Sequence, residues 1–204
     1  QDSAPTLNYN LFIYNQARLG GALACLNSPA VVALNSFISN CVAEGGGIYC
    51  YRSDASVTGN QIVANTAFET VGGGMAVVDC APTVSGNYFI GNTAELGGGG
   101  LSAYYYGRPV TDGNIFFGNQ TAGAGGGVLC VGASAPPLTT NNFYANTAEN
   151  GGALACVLGS HPFVGLGTVM RENTANTNGG AVYCADFSSP EIVNAIVYAN
   201  TAAA

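Results

Sequence analysis

The sequence has no lysine and only four arginines, against eleven acidic residues, and charged residues make up 7% of it. A protein that neutralises nucleic-acid phosphates needs clustered Lys and Arg. Arg18, Arg52, Arg108 and Arg171 are scattered, and the net charge is −7, so nucleic acid is excluded as a partner. No apolar run reaches the ~18 residues of a membrane-spanning helix, so no membrane span is expected. No signal-peptide pattern is present either. The chain opens at Gln1, as expected either of a mature secreted protein whose leader has gone or of a fragment of a longer chain. Low charge and 30 glycines would suit a disordered chain, but 48% of the residues are hydrophobic and they recur periodically. That argues for a packed core.

What is present is a repeat. Asn15, Asn40, Asn65, Asn92, Asn119, Asn146, Asn173 and Asn200 stand 25, 25 and then five times 27 residues apart. A fixed period in this range is the signature of a solenoid. Aligned on these asparagines, each repeat reads P-x-V-x-x-N-x-F-x-x-N-x-A, a short turn, then G-G-[G/A]-hydrophobic-x-C. The segments are short and alternate in polarity, so they are strands rather than helices. Phe12, Phe37, Ile62, Phe89, Phe116, Phe143, Val169 and Val197 form one expected core column. Cys25, Cys50, Cys130, Cys156 and Cys184 form a second inward column, filled by Val77 and Ala103 in the middle repeats. A further asparagine column, Asn10 to Asn141, lapses to Gly167 and Ala195. Asparagine suits a sharp corner because it tolerates left-handed backbone and its amide can bond neighbouring repeats. The reading is a single all-β domain over residues 1–204, with about eight rungs stacked ~4.8 Å apart into a rod roughly 38 Å long.

The motifs Phe12–Asn15, Phe37–Asn40, Phe89–Asn92, Phe116–Asn119 and Phe143–Asn146, with the repeated GG[A/G]-[I/L/V] runs, resemble the repeats of chlamydial polymorphic outer-membrane proteins and related passenger domains. That resemblance implies a right-handed parallel β-helix at the cell surface or outside the cell, commonly adhesive, with cell-surface or carbohydrate ligands as candidate partners. The membrane-anchoring barrel of that family is missing from this sequence.

Catalytic chemistry is hard to place, and no catalytic residue, metal site or cofactor is expected. Glycoside hydrolysis needs two carboxylates converging on one bond, and the eleven acids share no strand column. The sole histidine, His161, sits in a turn before Pro162. The glycine runs lack the Lys-Ser/Thr of a phosphate loop and the aspartates of calcium-binding nonapeptides. The cysteine column suits buried free thiols, while Cys25–Cys50 or a pair among the last three also lie within disulfide range. Cys41 and Cys80 lie off it, and seven is odd.

Surfaces remain. Ile13, Ile38, Val63, Ile90, Phe117, Tyr144, Met170 and Tyr198 are expected to form an outward apolar ridge, a candidate for self-association. Gly21, Gly46, Gly73, Gly99, Gly126, Gly152 and Gly180 would leave backbone bare for a partner. Thr66, Thr93, Thr147, Thr174 and Thr201 are read as one rank at a turn, short of the two ranks that ice binding needs. Repeat sequence runs from Pro5 to Asn200, which predicts uncapped ends. The expectation is a secreted, non-enzymatic structural protein that stacks with copies of itself into a filament. The alternatives are an adhesin or passenger-domain fragment and, less favoured, a carbohydrate-active enzyme.

Overall fold

The computed structural model describes residues 4–203 (the side chain of Val42 apart). The described chain is all strand and turn, and it winds as a parallel β-helix. One rung contributes a strand to each of four sheets. In the fifth rung these are Val110–Asp112 in sheet A, Ile115–Phe117 in sheet B, Gln120–Thr121 in sheet C and Val128–Val131 in sheet D. Sheets A, B and C each hold eight strands and sheet D holds seven, so among the described residues an eighth rung lacks only its sheet-D strand. Every pairing is parallel and joins one rung to the next.

The alternation of short strands puts one residue type inside at each level. In sheet B, Phe12, Phe37, Ile62, Phe89, Phe116 and Phe143 stack in register. Successive phenylalanine rings lie 4.8 Å apart, which is the strand spacing itself. The seventh member is Met170, not Val169, because Phe143 pairs with Met170. Met170 is fully buried and Val169 is not. Sheet A supplies Leu7, Val32, Val57, Val84, Thr111, Leu138, Val164 and Ile192. Sheet D supplies the cysteine column, in the register expected: Cys25, Cys50, Val77, Ala103, Cys130, Cys156, Cys184.

The asparagines hold the corners. Asn119 donates its backbone N–H and its Nδ2 to Asn146 Oδ1 at 3.0 and 2.9 Å, and its Nδ2 also reaches the Phe89 carbonyl at 2.9 Å. The same pattern runs unbroken from Asn15 to Asn200. The asparagines are not themselves left-handed, contrary to the expectation from sequence. The residue before each one is: Tyr14, Ser39, Ala64, Ala145, Glu172 and Ala199 have φ between 53° and 56°, and Gly91 and Gly118 have φ of 60° and 62°. Such a conformation costs a non-glycine residue about 1–2 kcal/mol, and the amide bonds offset it. The second ladder, Asn10 to Asn141, passes to Thr168 rather than Gly167. The Thr168 hydroxyl donates to the Leu138 carbonyl at 3.0 Å, as the Asn141 amide does to the Thr111 carbonyl at 2.8 Å.

The glycine column is not open to a partner. A Cβ on Gly46 would stand 2.0 Å from the Gly73 carbonyl oxygen and 2.8 Å from the Thr66 nitrogen. The bare backbone is consumed where sheet C bends sharply into sheet D, with each rung pressed on the next.

Candidate functional site

The outer face of sheet B runs the length of the rod and is built almost entirely without charge. Its strands alternate out, in, out, so two ranks face away from the core. One rank is Ile13, Ile38, Val63, Ile90, Phe117, Tyr144, Arg171 and Tyr198. Met170 therefore leaves the expected ridge for the core, and Arg171 takes its place. The Arg171 guanidinium lies 4.2 Å above the centre of the Tyr144 ring, so an aromatic face carries the one charge in the rank. The other rank, which sequence reasoning did not single out, is Leu11, Ser36, Gln61, Tyr88, Ile115, Asn142, Val169 and Ile196. Leu11, Tyr88 and Ile196 are exposed.

The threonine rank lies within sheet C rather than at a turn. Thr66 pairs with Thr93, and Thr147 with Thr174 and then Thr201. Gln120 interrupts it. Beside it is a shallow hollow of about 460 Å³, edged by Phe68, Glu95 and Asn176.

Sheet D is covered on its outer side over much of its length. Tyr49, Ala76, Leu129 and Ala155 are buried there, and Val71 and Ala124, at the end of sheet C, pack on the Leu129 side. Burial pushes the Tyr49 hydroxyl up to about 12, with Glu44 nearby adding to it.

Polar groups converge in two places. Arg52 and Arg108, far apart in sequence, line one corner hollow of about 440 Å³ together with Asp54, Asp79, Cys80 and Tyr106. Arg52 Nε bonds Asp79 Oδ2 at 2.7 Å, which spends that charge internally. His161 Nδ1 accepts the Ser189 N–H at 3.2 Å and lies 2.9 Å from Ser189 Oγ. The pair is exposed on a corner loop. Among the described residues no group of three or more His, Cys, Asp or Glu is arranged to hold a metal. All seven cysteines are free thiols, and Cys184 alone is exposed.

The two end faces differ from the middle of the rod. Phe116 and Leu138 are fully buried, whereas their column-mates in the last rung, Val197 and Ile192, are 46% and 43% exposed. Asn200 donates its amide back to the Met170 carbonyl, but among the described residues its backbone N–H meets no ladder oxygen. At the other end Asn15 donates to Asn40, and among the described residues its own Oδ1 receives nothing from the ladder.

Residues 2–116 match the family model of the right-handed beta helix region. Residues 167–185 match the Chlamydia polymorphic membrane protein repeat, the segment that holds Asn173 and the seventh glycine turn. No curated protein and no solved structure matches the chain. The first match spans more than half of the sequence, so the chain belongs to the right-handed β-helix family.

Proposed function

We propose that this chain is a non-enzymatic structural β-helix of the cell surface or extracellular space that stacks head to tail with copies of itself into a filament. One observation carries the reading: in sheets A, B and C the two end faces are complementary. The first rung offers the ladder oxygen of Asn15, and the last offers the ladder N–H of Asn200. The apolar columns also meet in order, Val197 over Phe12 and Ile192 over Leu7. Contacts of this heterologous kind do not close on themselves, so they propagate. The surface location draws on the match to the polymorphic membrane protein repeat. The sheet-B face is the candidate for side-by-side association between rods. An enzymatic reading finds little support, because Asp54 and Asp79, the acids that share a hollow, are accompanied there by Arg52 and Arg108.

A second reading is favoured by the same short match: a segment of a longer passenger-type domain whose neighbouring rungs belong to its own chain. Negative-stain electron microscopy of the purified chain over a concentration series separates the two. Stacking gives fibres that lengthen with concentration in steps of roughly 38 Å. Short rods of one length at the highest concentration would overturn it.

A further inference from the structure

Sheet D stacks three thiols inside the last rungs that contribute strands to it. Cys130 pairs with Cys156, and Cys156 with Cys184, in register. All three are free. The Cys156 thiol is in hydrogen-bond contact with both Cys130 and Cys184. The phenylalanine rings of sheet B put successive rungs 4.8 Å apart, and the strands of sheet D share that spacing. Identical side chains in register keep it too, so the sulfurs stand in file along the rod.

A file of sulfurs suits few metal ions. Zinc takes four ligands at the corners of a tetrahedron, and among the described residues no three His, Cys, Asp or Glu are arranged to hold a metal. Linear coordination asks for only two sulfurs. A thiolate bonds zinc at about 2.3 Å, so two bonds of that length end to end span roughly 4.6 Å. That is close to the distance between rungs. Copper(I) is the first-row ion with this habit: its filled shell accepts two ligands in line, and soft thiolates select it.

Charge chooses the pair. Two thiolates and one copper(I) carry one net negative charge, and stranding a charge in an apolar core is costly. Cys50 and Cys130 are fully buried and Cys25 is 3% exposed, whereas Cys184 is exposed. The Cys156–Cys184 pair alone keeps that charge within reach of water and gives the ion a way in.

We propose that Cys156 and Cys184 bind one copper(I) ion between their sulfurs, tying the sixth rung to the seventh. The hydrogen bond with Cys156, and then burial, push the Cys184 thiol up, so the metal-free pair is protonated at neutral pH. A bound cation deprotonates a coordinating thiol outright. Binding forms two Cu–S bonds, breaks two S–H bonds and releases two protons to solvent; no electron is transferred. The site lies within one chain, so its test is separate from that of the end-to-end reading.

The test titrates copper(I) into the reduced full chain without oxygen, against a chromophoric copper(I) chelator, and reads the bound ion by X-ray absorption. The expected result is one ion per chain held against the chelator, with two sulfur neighbours, and not displaced by zinc. Cys156→Val gives the column the residue it already carries at Val77, and Cys184→Ser changes an exposed position. Both variants keep the parent's circular dichroism spectrum and lose the ion; should Cys156→Val unfold, Cys184→Ser decides. Cys41→Ser, off the column, keeps the ion. Parental affinity in folded Cys156→Val or in Cys184→Ser, loss of the ion in Cys41→Ser, three or more sulfur neighbours, displacement by zinc, or no ion held by the parent would overturn the site.

Discussion

Asn119 takes part in five hydrogen bonds through one short side chain and its own N–H: two to Asn146, one to the Phe89 carbonyl, and two received from Asn92. Serine is too short to span two rungs, and aspartate has no donor for the carbonyl. The amide alone both gives and accepts at this corner. Asn119→Ala would strand the buried Asn92 N–H and the Phe89 carbonyl. Each stranded buried group costs about 1–3 kcal/mol, so a loss of roughly 3 kcal/mol or more is expected in urea denaturation. Asn15→Ala, at an exposed position in the first rung, should cost under ~1 kcal/mol by the same reasoning. Equal losses at the two sites would refute the claim that burial gives the ladder its value.

Register is decided between elements, and the seventh rung shows how. Val169 and Met170 are both apolar, so polarity cannot choose between them. The pairing of Asn142 with Val169 and of Phe143 with Met170 does choose, and it sends Arg171 outward over Tyr144. Met170→Arg should therefore place an unpaired charge in the core and prevent cooperative folding, since a buried unpaired charge costs several kcal/mol. Arg171→Met should leave the circular dichroism spectrum unchanged and the stability within about 0.5 kcal/mol of the parent. The opposite pattern would return Val169 to the core. Most of the fold was legible because one amide motif repeats at every corner, and the spacing of asparagines transmits the register to all four sheets. The glycine column misled because sequence reports a missing side chain without reporting what fills the space; here it is the Gly73 carbonyl over Gly46. The meeting of Arg52 with Arg108 and the cover over Tyr49 were hidden for a related reason. They depend on how far each corner bulges, which varies with the turn between strands and not with the period.

At the scale of the whole rod each rung touches only the rungs beside it, so stability is a chain of nearest-neighbour terms and each end face lacks one such term. That separates folding from assembly experimentally. Val197 is 46% exposed in the single chain, so Val197→Asp puts its carboxylate where water can still reach it, and the monomer should fold. In a stack the same carboxylate would be covered by Phe12 of the next copy, with no cation to meet it. Stranding a charge in this way costs roughly 3–5 kcal/mol, which raises the concentration needed for assembly by about 100-fold or more. Phe116→Asp, fully buried in the middle of the rod, should abolish folding instead. Acid should rescue the first variant and not the second. Below the ordinary carboxylate range, near pH 4 or less by the unperturbed aspartate value of about 3.9, the carboxyl introduced by Val197→Asp becomes neutral and its burial penalty shrinks. Sedimentation velocity across pH and concentration reads all three arms. If Val197→Asp assembles like the parent at neutral pH, the terminal face is not where copies meet, and the complementarity of Asn15 and Asn200 has no part in joining them.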